Sequence, residues 1–422
     1  YWNFKEIVKS NNLGINNLEY DIAVNNLEIA LGDSIERQMI SDVPLGAFLS
    51  GGIDSSSIVA LAQLRSSNQV KTFSIGYDDK HYNEAEHAKL IANHLGTDHT
   101  DLYVTPKDTI SVIPEIPKIY SEPFADPSQI PMFLLSKMTK DYVTVALSGD
   151  GGDELFGGYN RHLFTNQYWG AISKLPSSMK WLITNTIKSL SPNHWNKVFM
   201  YFNYFMPKKF HHQNMGLKLY KISKAIRSDS IDDLYTSLIS RWDNPEGLVL
   251  GIEKDKTLYE PLIDEFILCD DVSKMMAMDT VGYLSDDILC KVDRASMFAS
   301  LESRNPFLDH NIVEFAAKLP LNYKIKNGIG KSVLRDVLYK HVPKKLIDRP
   351  KMGFDIPIGD WLRGSLKKWA NDLLDEKKIR EDGYFNAELV RKIWFEHQSG
   401  SNNMEHKLWP VLMFQSWLLE NK

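Results

Sequence analysis

Between residues 45 and 147 short apolar runs alternate with helical patterns, and two of the runs end in glycine-rich turns. The runs are Leu45–Leu49, Val70–Ile75, His99–Val104 and Tyr142–Leu147. The helical patterns are Asp21–Ile40, Asp54–Leu64, Asn83–Leu95, which Gly96 closes, and Ile130–Lys140. Runs this short, flanked by longer segments of helical period, predict strands buried between helices. The alternation predicts an α/β fold with a doubly wound, mostly parallel sheet. Ligands of such sheets bind at the carboxyl ends of strands, where both glycine turns fall. Beyond Tyr159 the strand signal fades, which predicts a nucleotide-binding α/β core over about 21–160 and a large helical C-terminal part over 161–422.

Composition excludes several classes. The chain has 422 residues, 43% hydrophobic and 24% charged, with a net charge of -5. This weak acidity does not favour general nucleic-acid binding, and nucleic acid is not expected as a partner. Cys269 and Cys290 are too few for a disulfide scaffold and lack zinc-site spacing, so they are expected as buried thiols in a reducing cytoplasm. No apolar run reaches the ~18 residues of a membrane helix, so no membrane partner is expected. Tyr1–Ser10 does not read as a signal peptide. The segment between Glu154 and Asp229 holds no acidic residue but many lysines and aromatics. Amphipathic helices with solvated lysines account for it. Leu408–Leu419, rich in Trp, Leu and Met, is expected as a buried helix. The twelve histidines show no metal-binding pattern, and His87 and His94 are expected as surface or packing residues.

The first chemical signal is Ser50-Gly51-Gly52-Ile53-Asp54-Ser55-Ser56. Two glycines let the backbone approach an anion, and the following helix offers free N–H groups and the positive end of its dipole. The hydroxyls of Ser50, Ser55 and Ser56 add donors. A carboxylate inside an anion site calls for a mediating cation, which makes Asp54 a candidate Mg2+ ligand toward pyrophosphate.

The second signal is Ser148-Gly149-Asp150-Gly151-Gly152-Asp153-Glu154-Leu155-Phe156-Gly157-Gly158-Tyr159. Flexible glycines and clustered acids both disfavour stability, so metal coordination and close contact with a charged ligand are the expected uses. The acids do not have EF-hand spacing. Gly328-Ile329-Gly330-Lys331-Ser332 looks like the end of a phosphate-binding P-loop, but the first glycine of that motif would fall at Ile325.

Ser50–Ser56 resembles the pyrophosphate loop of the ATP pyrophosphatase family. Together with Ser148–Tyr159 it resembles the synthetase domain of glutamine-hydrolysing asparagine synthetases. The resemblance continues through Tyr283–Met297, Leu301–His310, Gly330–Arg335 and Arg349–Phe354, in the family's order. It implies an adenine nucleotide alpha hydrolase-like core that binds ATP and Mg2+. Leu49 and Ile75 would line the adenine and ribose pocket, and Ser148 and Gly149 would contact the nucleotide. Asp54 and Asp153 would hold Mg2+. Lys331 would contact the α-phosphate in the adenylation transition state, and Lys351 is a further candidate substrate contact. Asp150, at a position where many asparagine synthetases have Glu, would meet the incoming amine. Asp286, Asp287, Asp293 and Arg294 are expected as a structural ion network beside the site.

The chemistry so implied converts aspartate to β-aspartyl-AMP with release of pyrophosphate, and ammonia then displaces AMP. In the family ammonia comes from glutamine hydrolysed in an N-terminal domain whose first residue is a Cys nucleophile. Residues 1–20 resemble the linker after such a glutaminase domain, and this chain, starting at Tyr1-Trp2, is expected to lack glutaminase activity. A cytoplasmic location and a homodimer are further expectations. A sister amidotransferase acting on a sugar carboxylate or another acid, and a tRNA-modifying enzyme with the same loop, stay open as alternatives.

Overall fold

The computed structural model describes residues 1–10, 18–77, 84–205, 215–252, 269–348 and 356–422. The chain folds as two units. The first takes in Tyr1–Leu163, Leu258–Ile358 and Trp409–Lys422, and the second Phe164–Thr257 and Gly359–Leu408.

The first unit is built on a five-stranded parallel sheet in the order β3-β2-β1-β4-β5. The strands are β1 (Leu45–Phe48), β2 (Lys71–Tyr77), β3 (Asp98–Val104), β4 (Val145–Leu147) and β5 (Glu302–Arg304). β1 is central and pairs with both β2 and β4. Chain order therefore runs outward through β2 and β3 and then jumps to the other side of β1. That reversal opens a crevice between the carboxyl ends of β1 and β4. Gly46 allows β1 to sit close to β2, since a Cβ there would lie 2.7 Å from the Phe73 ring and 2.9 Å from the Lys71 carbonyl.

The helices Tyr20–Gln38, Ile53–Arg65, Ala85–Leu95 and Gln129–Thr139 match the expected patterns. Gly96 closes the third in the left-handed conformation, with φ 72°. One continuous core joins Leu27, Leu31 and Ile35 to Ile58, Leu61 and Leu147. It also contains Phe307, Ile312, Val333 and Val337. Residues far past 160 thus belong to the sheet's unit, and β5 adds a strand within the part expected to be mainly helical. Three polar residues, Glu302, Ser303 and Arg304, form that edge strand, so no apolar run announced it. Cys269 and Cys290 are free thiols, as expected, but each is half-buried rather than fully enclosed.

The second unit is helical. The helices Ser177–Lys188, Pro192–Phe205 and Met215–Arg227 pack with one another, and Trp195 Nε1 donates to the Ile187 carbonyl at 2.7 Å. Lys174, Lys188, Lys218 and Lys221 are exposed, in line with the expectation of solvated lysines. Lys180 is an exception: it is buried, and its ammonium donates to the Ser228 carbonyl at 2.7 Å. The helix Glu405–Glu420, whose residues from Trp409 on belong to the first unit, buries Leu408, Trp409, Leu412 and Met413, while Leu419 is exposed. Among the described residues no helix is long and apolar enough to cross a membrane.

Candidate active site

The loops after β1 and β4 meet at the crevice. Gly51 takes a left-handed conformation with φ 75°, and Gly52 caps the helix Ile53–Arg65. The Ser50 and Ser55 hydroxyls lie 3.0 Å apart across this loop, and Ser55 Oγ also accepts from the Ser50 N–H at 3.2 Å. Ser56 turns inward instead: it is fully buried, and among the described residues its hydroxyl has no hydrogen-bond partner. Gly149, after β4, brings the two loops into contact, since a Cβ there would sit 2.8 Å from the Ser55 nitrogen. Any side chain at Gly152 would meet the Asp54 carboxylate, and one at Gly158 would meet both Asp153 and Lys331. The glycines thus leave a cradle around three charged groups.

Those groups are Asp54, Asp153 and Lys331. The Lys331 ammonium lies 2.5 Å from Asp54 Oδ2 and 2.6 Å from Asp153 Oδ1. Its side chain is 7% exposed, against 21% for Asp54 and 19% for Asp153. Burial pulls the ammonium pKa down, but the attraction of Asp153 and Asp54 outweighs it and holds the group above its ordinary range. Lys331 itself has a left-handed backbone, φ 60° and ψ 30°, at the start of the helix Ser332–Tyr339. This conformation is costly for a residue with a Cβ and persists only where the surroundings impose it. Here the Lys331 N–H donates to the Phe156 carbonyl at 3.0 Å, and Gly330 packs against the Gly157 backbone.

Asp150 stands half-buried beside this cluster and accepts from the Ser148 hydroxyl at 2.5 Å. Burial raises its carboxyl pKa, and the Ser148 bond and the charge of Lys291 partly oppose the rise. Lys291 donates to Asp126 at 2.8 Å and to Ser128 at 2.9 Å. Leu49 and Ile75 are buried near the ends of β1 and β2, and the Leu49 N–H still pairs with the Phe73 carbonyl at 2.8 Å. Lys351 lies outside the described residues, as does the Arg349–Phe354 motif.

Behind the loops stands a buried network that the sequence pattern did not single out. Arg161 grips Asp279 with two hydrogen bonds of 2.8 Å, and His162 Nε2 lies 2.6 Å from the same carboxylate. The Arg161 guanidinium lies against the rings of Tyr159 and Tyr283, 4.0 and 4.7 Å from their centroids, and the two rings meet edge to face. Tyr159 donates to Glu154, whose carboxyl is pushed up to about 7, chiefly by burial. Asp279 opens an eleven-residue π-helix, Asp279–Leu289. Such wide turns cluster at functional sites. The Arg161-His162 pair just after the glycine loop was the available signal, because a guanidinium and an imidazole held there call for a carboxylate partner, although burial pulls the His162 pKa down and favours its neutral ring. The expected ion network is corrected in part: Asp286, Asp293 and Arg294 are exposed, whereas Asp287 is half-buried, accepts from the Tyr283 hydroxyl and favours the charged form of Lys291. Exposed charges gain little from pairing.

Among the described residues, no group of three acidic, His or Cys side chains forms a metal cage. Two carboxylates at the mouth of an anion loop nevertheless fit Mg2+, which binds through one or two carboxylates together with substrate phosphates and water. The family model for asparagine synthase matches residues 26–419. Asparagine synthetase (glutamine-hydrolyzing) 1 of Bacillus subtilis is 31% identical over 402 residues, covering 94% of this chain and 60% of the relative. A putative asparagine synthetase (glutamine-hydrolyzing) of Mycobacterium tuberculosis is 31% identical over 392 residues, covering 92% of this chain and 56% of the relative. A putative asparagine synthetase (glutamine-hydrolyzing) 2 of Methanocaldococcus jannaschii is 43% identical over 152 residues, 36% of this chain and 29% of the relative. The chain thus spans about 60% of the Bacillus relative's length. With its glycine loops at the sheet's reversal point and this match along most of its length, the chain belongs to the asparagine synthase family.

Proposed function

We propose that the chain makes an amide in two ATP-dependent steps. The aspartate side-chain carboxylate attacks the α-phosphorus of ATP, the bond to the β-phosphate oxygen breaks, and pyrophosphate leaves. Ammonia then attacks the carbonyl of β-aspartyl-AMP, loses a proton, and expels AMP to give asparagine. The observation that carries this reading is the Lys331 ammonium held between Asp54 and Asp153 where the two strand-end loops meet.

Both reactants are anions, so the first step needs fixed positive charge aimed at the phosphate as charge builds there. Lys331 supplies it from a locked backbone and stays protonated, since its two carboxylates favour the charged form. The Ser50–Ser55 loop and the helix after it would receive the pyrophosphate. Asp54 and Asp153 would hold Mg2+, which supplies charge neutralisation of the phosphates when bound. Asp150 stands where a carboxylate could take the proton of the attacking amine. In a longer protein that carries a glutaminase domain, glutamine would be the source of the ammonia, which is in keeping with the glutamine-hydrolyzing designation of the Bacillus relative.

The test is ATP–pyrophosphate exchange that depends on a carboxylate, run with aspartate, glutamate and a hexuronate. Exchange driven by aspartate, followed by asparagine formation on adding ammonium, is the expected result. Exchange driven only by the hexuronate would move the chain to the sister amidotransferases, and exchange with none of the three would sink the proposal.

A further inference from the structure

A second cavity in the sheet's unit contains a buried cation that has no partner among the described residues. It measures about 210 Å³ and lies beneath the helix Phe4–Ser10, with Phe4 and Met276 on its apolar wall. Lys324 lines it with 7% of its surface exposed, and among the described residues its ammonium has neither a hydrogen bond nor an ion pair. Burial pulls this ammonium down to about 8, and Asp270 and Cys269 only partly oppose the fall. An enclosed ammonium that makes no ion pair with the Asp270 across its cavity is costly, and an apolar side chain of similar length would avoid the cost. Such a group is better explained by a ligand than by packing, because functional sites are where stability is given up.

The surroundings restrict what the ligand is. Lys324 calls for a carboxylate, through a charge-assisted hydrogen bond. Asp270 also lines the cavity. Its Oδ1 accepts from the Val272 and Ser273 N–H groups at 3.1 and 3.0 Å, capping the helix Asp271–Met278 and leaving Oδ2 for another donor. A carboxylate alone would meet repulsion from Asp270, whereas a zwitterion would satisfy both groups. The apolar wall suits an uncharged side chain, and the volume lies below the ~300 Å³ at which drug-sized sites begin.

We infer that this cavity is an effector site for a neutral α-amino acid, with its carboxylate on Lys324, its ammonium on Asp270 and its side chain against Phe4 and Met276. Glu154, next to Asp153 in the chain, forms part of the wall, so occupancy reaches the loop that carries Asp153. The site is separate from the Lys331 cluster and does not depend on which acid that cluster activates.

The experiment uses the intact chain with L-alanine, L-asparagine and L-leucine, and with acetate and methylamine as half-ligands. Binding is followed by calorimetry, and its place by N-ethylmaleimide labelling of Cys269, which lines the cavity, relative to Cys290. At least one amino acid should bind and slow Cys269 labelling about threefold at twice its dissociation constant, with Cys290 unchanged. Lys324→Met should raise the melting temperature of the free chain and abolish binding, while Lys324→Arg should retain it. Saturating aspartate with Mg2+ and a non-reacting ATP analogue should leave binding intact, which separates this site from the catalytic one; loss of binding under that competition would place the amino acid in the catalytic site and overturn the assignment. Binding by none of the amino acids, binding that survives Lys324→Met, or acetate binding as tight as theirs would each overturn the assignment.

Discussion

The Lys331 ammonium and the Asp153 carboxylate, 2.6 Å apart, join a left-handed residue at a helix start to the loop that leaves β4. Asp54 adds a second carboxylate from the loop after β1. Removing the ammonium leaves two acids facing an anionic substrate. Lys331→Met should therefore lower the rate of pyrophosphate exchange by at least ~10²-fold, with a much smaller change in the Michaelis constant for ATP. A variant in which only that constant rises would make Lys331 a ground-state binder.

Asp54→Asn and Asp153→Asn test the metal assignment separately. Each should cut exchange by ~10²-fold or more and raise the Mg2+ concentration needed for half-maximal rate. Loss of rate with an unchanged Mg2+ dependence would leave the carboxylate as a holder of Lys331 and nothing more.

Gly158 gives a steric test that changes no charge. A methyl group there meets both Asp153 and Lys331, so Gly158→Ala should displace the pair and reduce exchange by about tenfold or more. Gly170→Ala is the control, because nothing lies within 4 Å of a Cβ at that position. Equal activity in the two variants would show that the cluster relaxes freely.

Asp150→Asn should separate the two steps. The variant keeps the Lys331 cluster, so exchange should persist, while amide formation from ammonium should slow by ~10²-fold, the usual contribution of a positioned base. Parallel loss of both steps would argue against a distinct role in the second.

The Arg161–Asp279 pair predicts a stability effect. Although burial alone would raise the Asp279 carboxyl pKa, His162 and Arg161 hold it below its ordinary value. The stabilisation it brings is therefore fully present above the unfolded carboxylate value of ~3.9 and is lost as pH falls through the lower folded value. Asp279→Ala leaves Arg161 buried without this partner and should destabilise by about 3–5 kcal/mol. A thermal melt at pH 7 should show a lower melting temperature, and the variant should lose less than the parent chain on acidification.

Much of the first unit is legible along the chain. The buried runs at β1 and β4, the glycine turns and the helix Ile53–Arg65 follow from interactions between near neighbours, such as side-chain period, backbone freedom and helix start signals. Local signals also single out Asp54, while Asp153 and Lys331 take their roles from the family resemblance, and the sequence alone does not show that one ammonium joins the two carboxylates. Local signals fail at β5, where Glu302-Ser303-Arg304 pairs with β4 through backbone groups that no side-chain pattern announces. They fail again at Asp279, which meets Arg161 from 118 residues away, and at Lys324, whose burial depends on what the surrounding helices leave empty. Residue type and spacing determine which segments can be strands, turns and anion loops. Only packing around the sheet decides which distant charges find each other and which are enclosed away from water, because burial and long-range pairing are properties of the assembled fold.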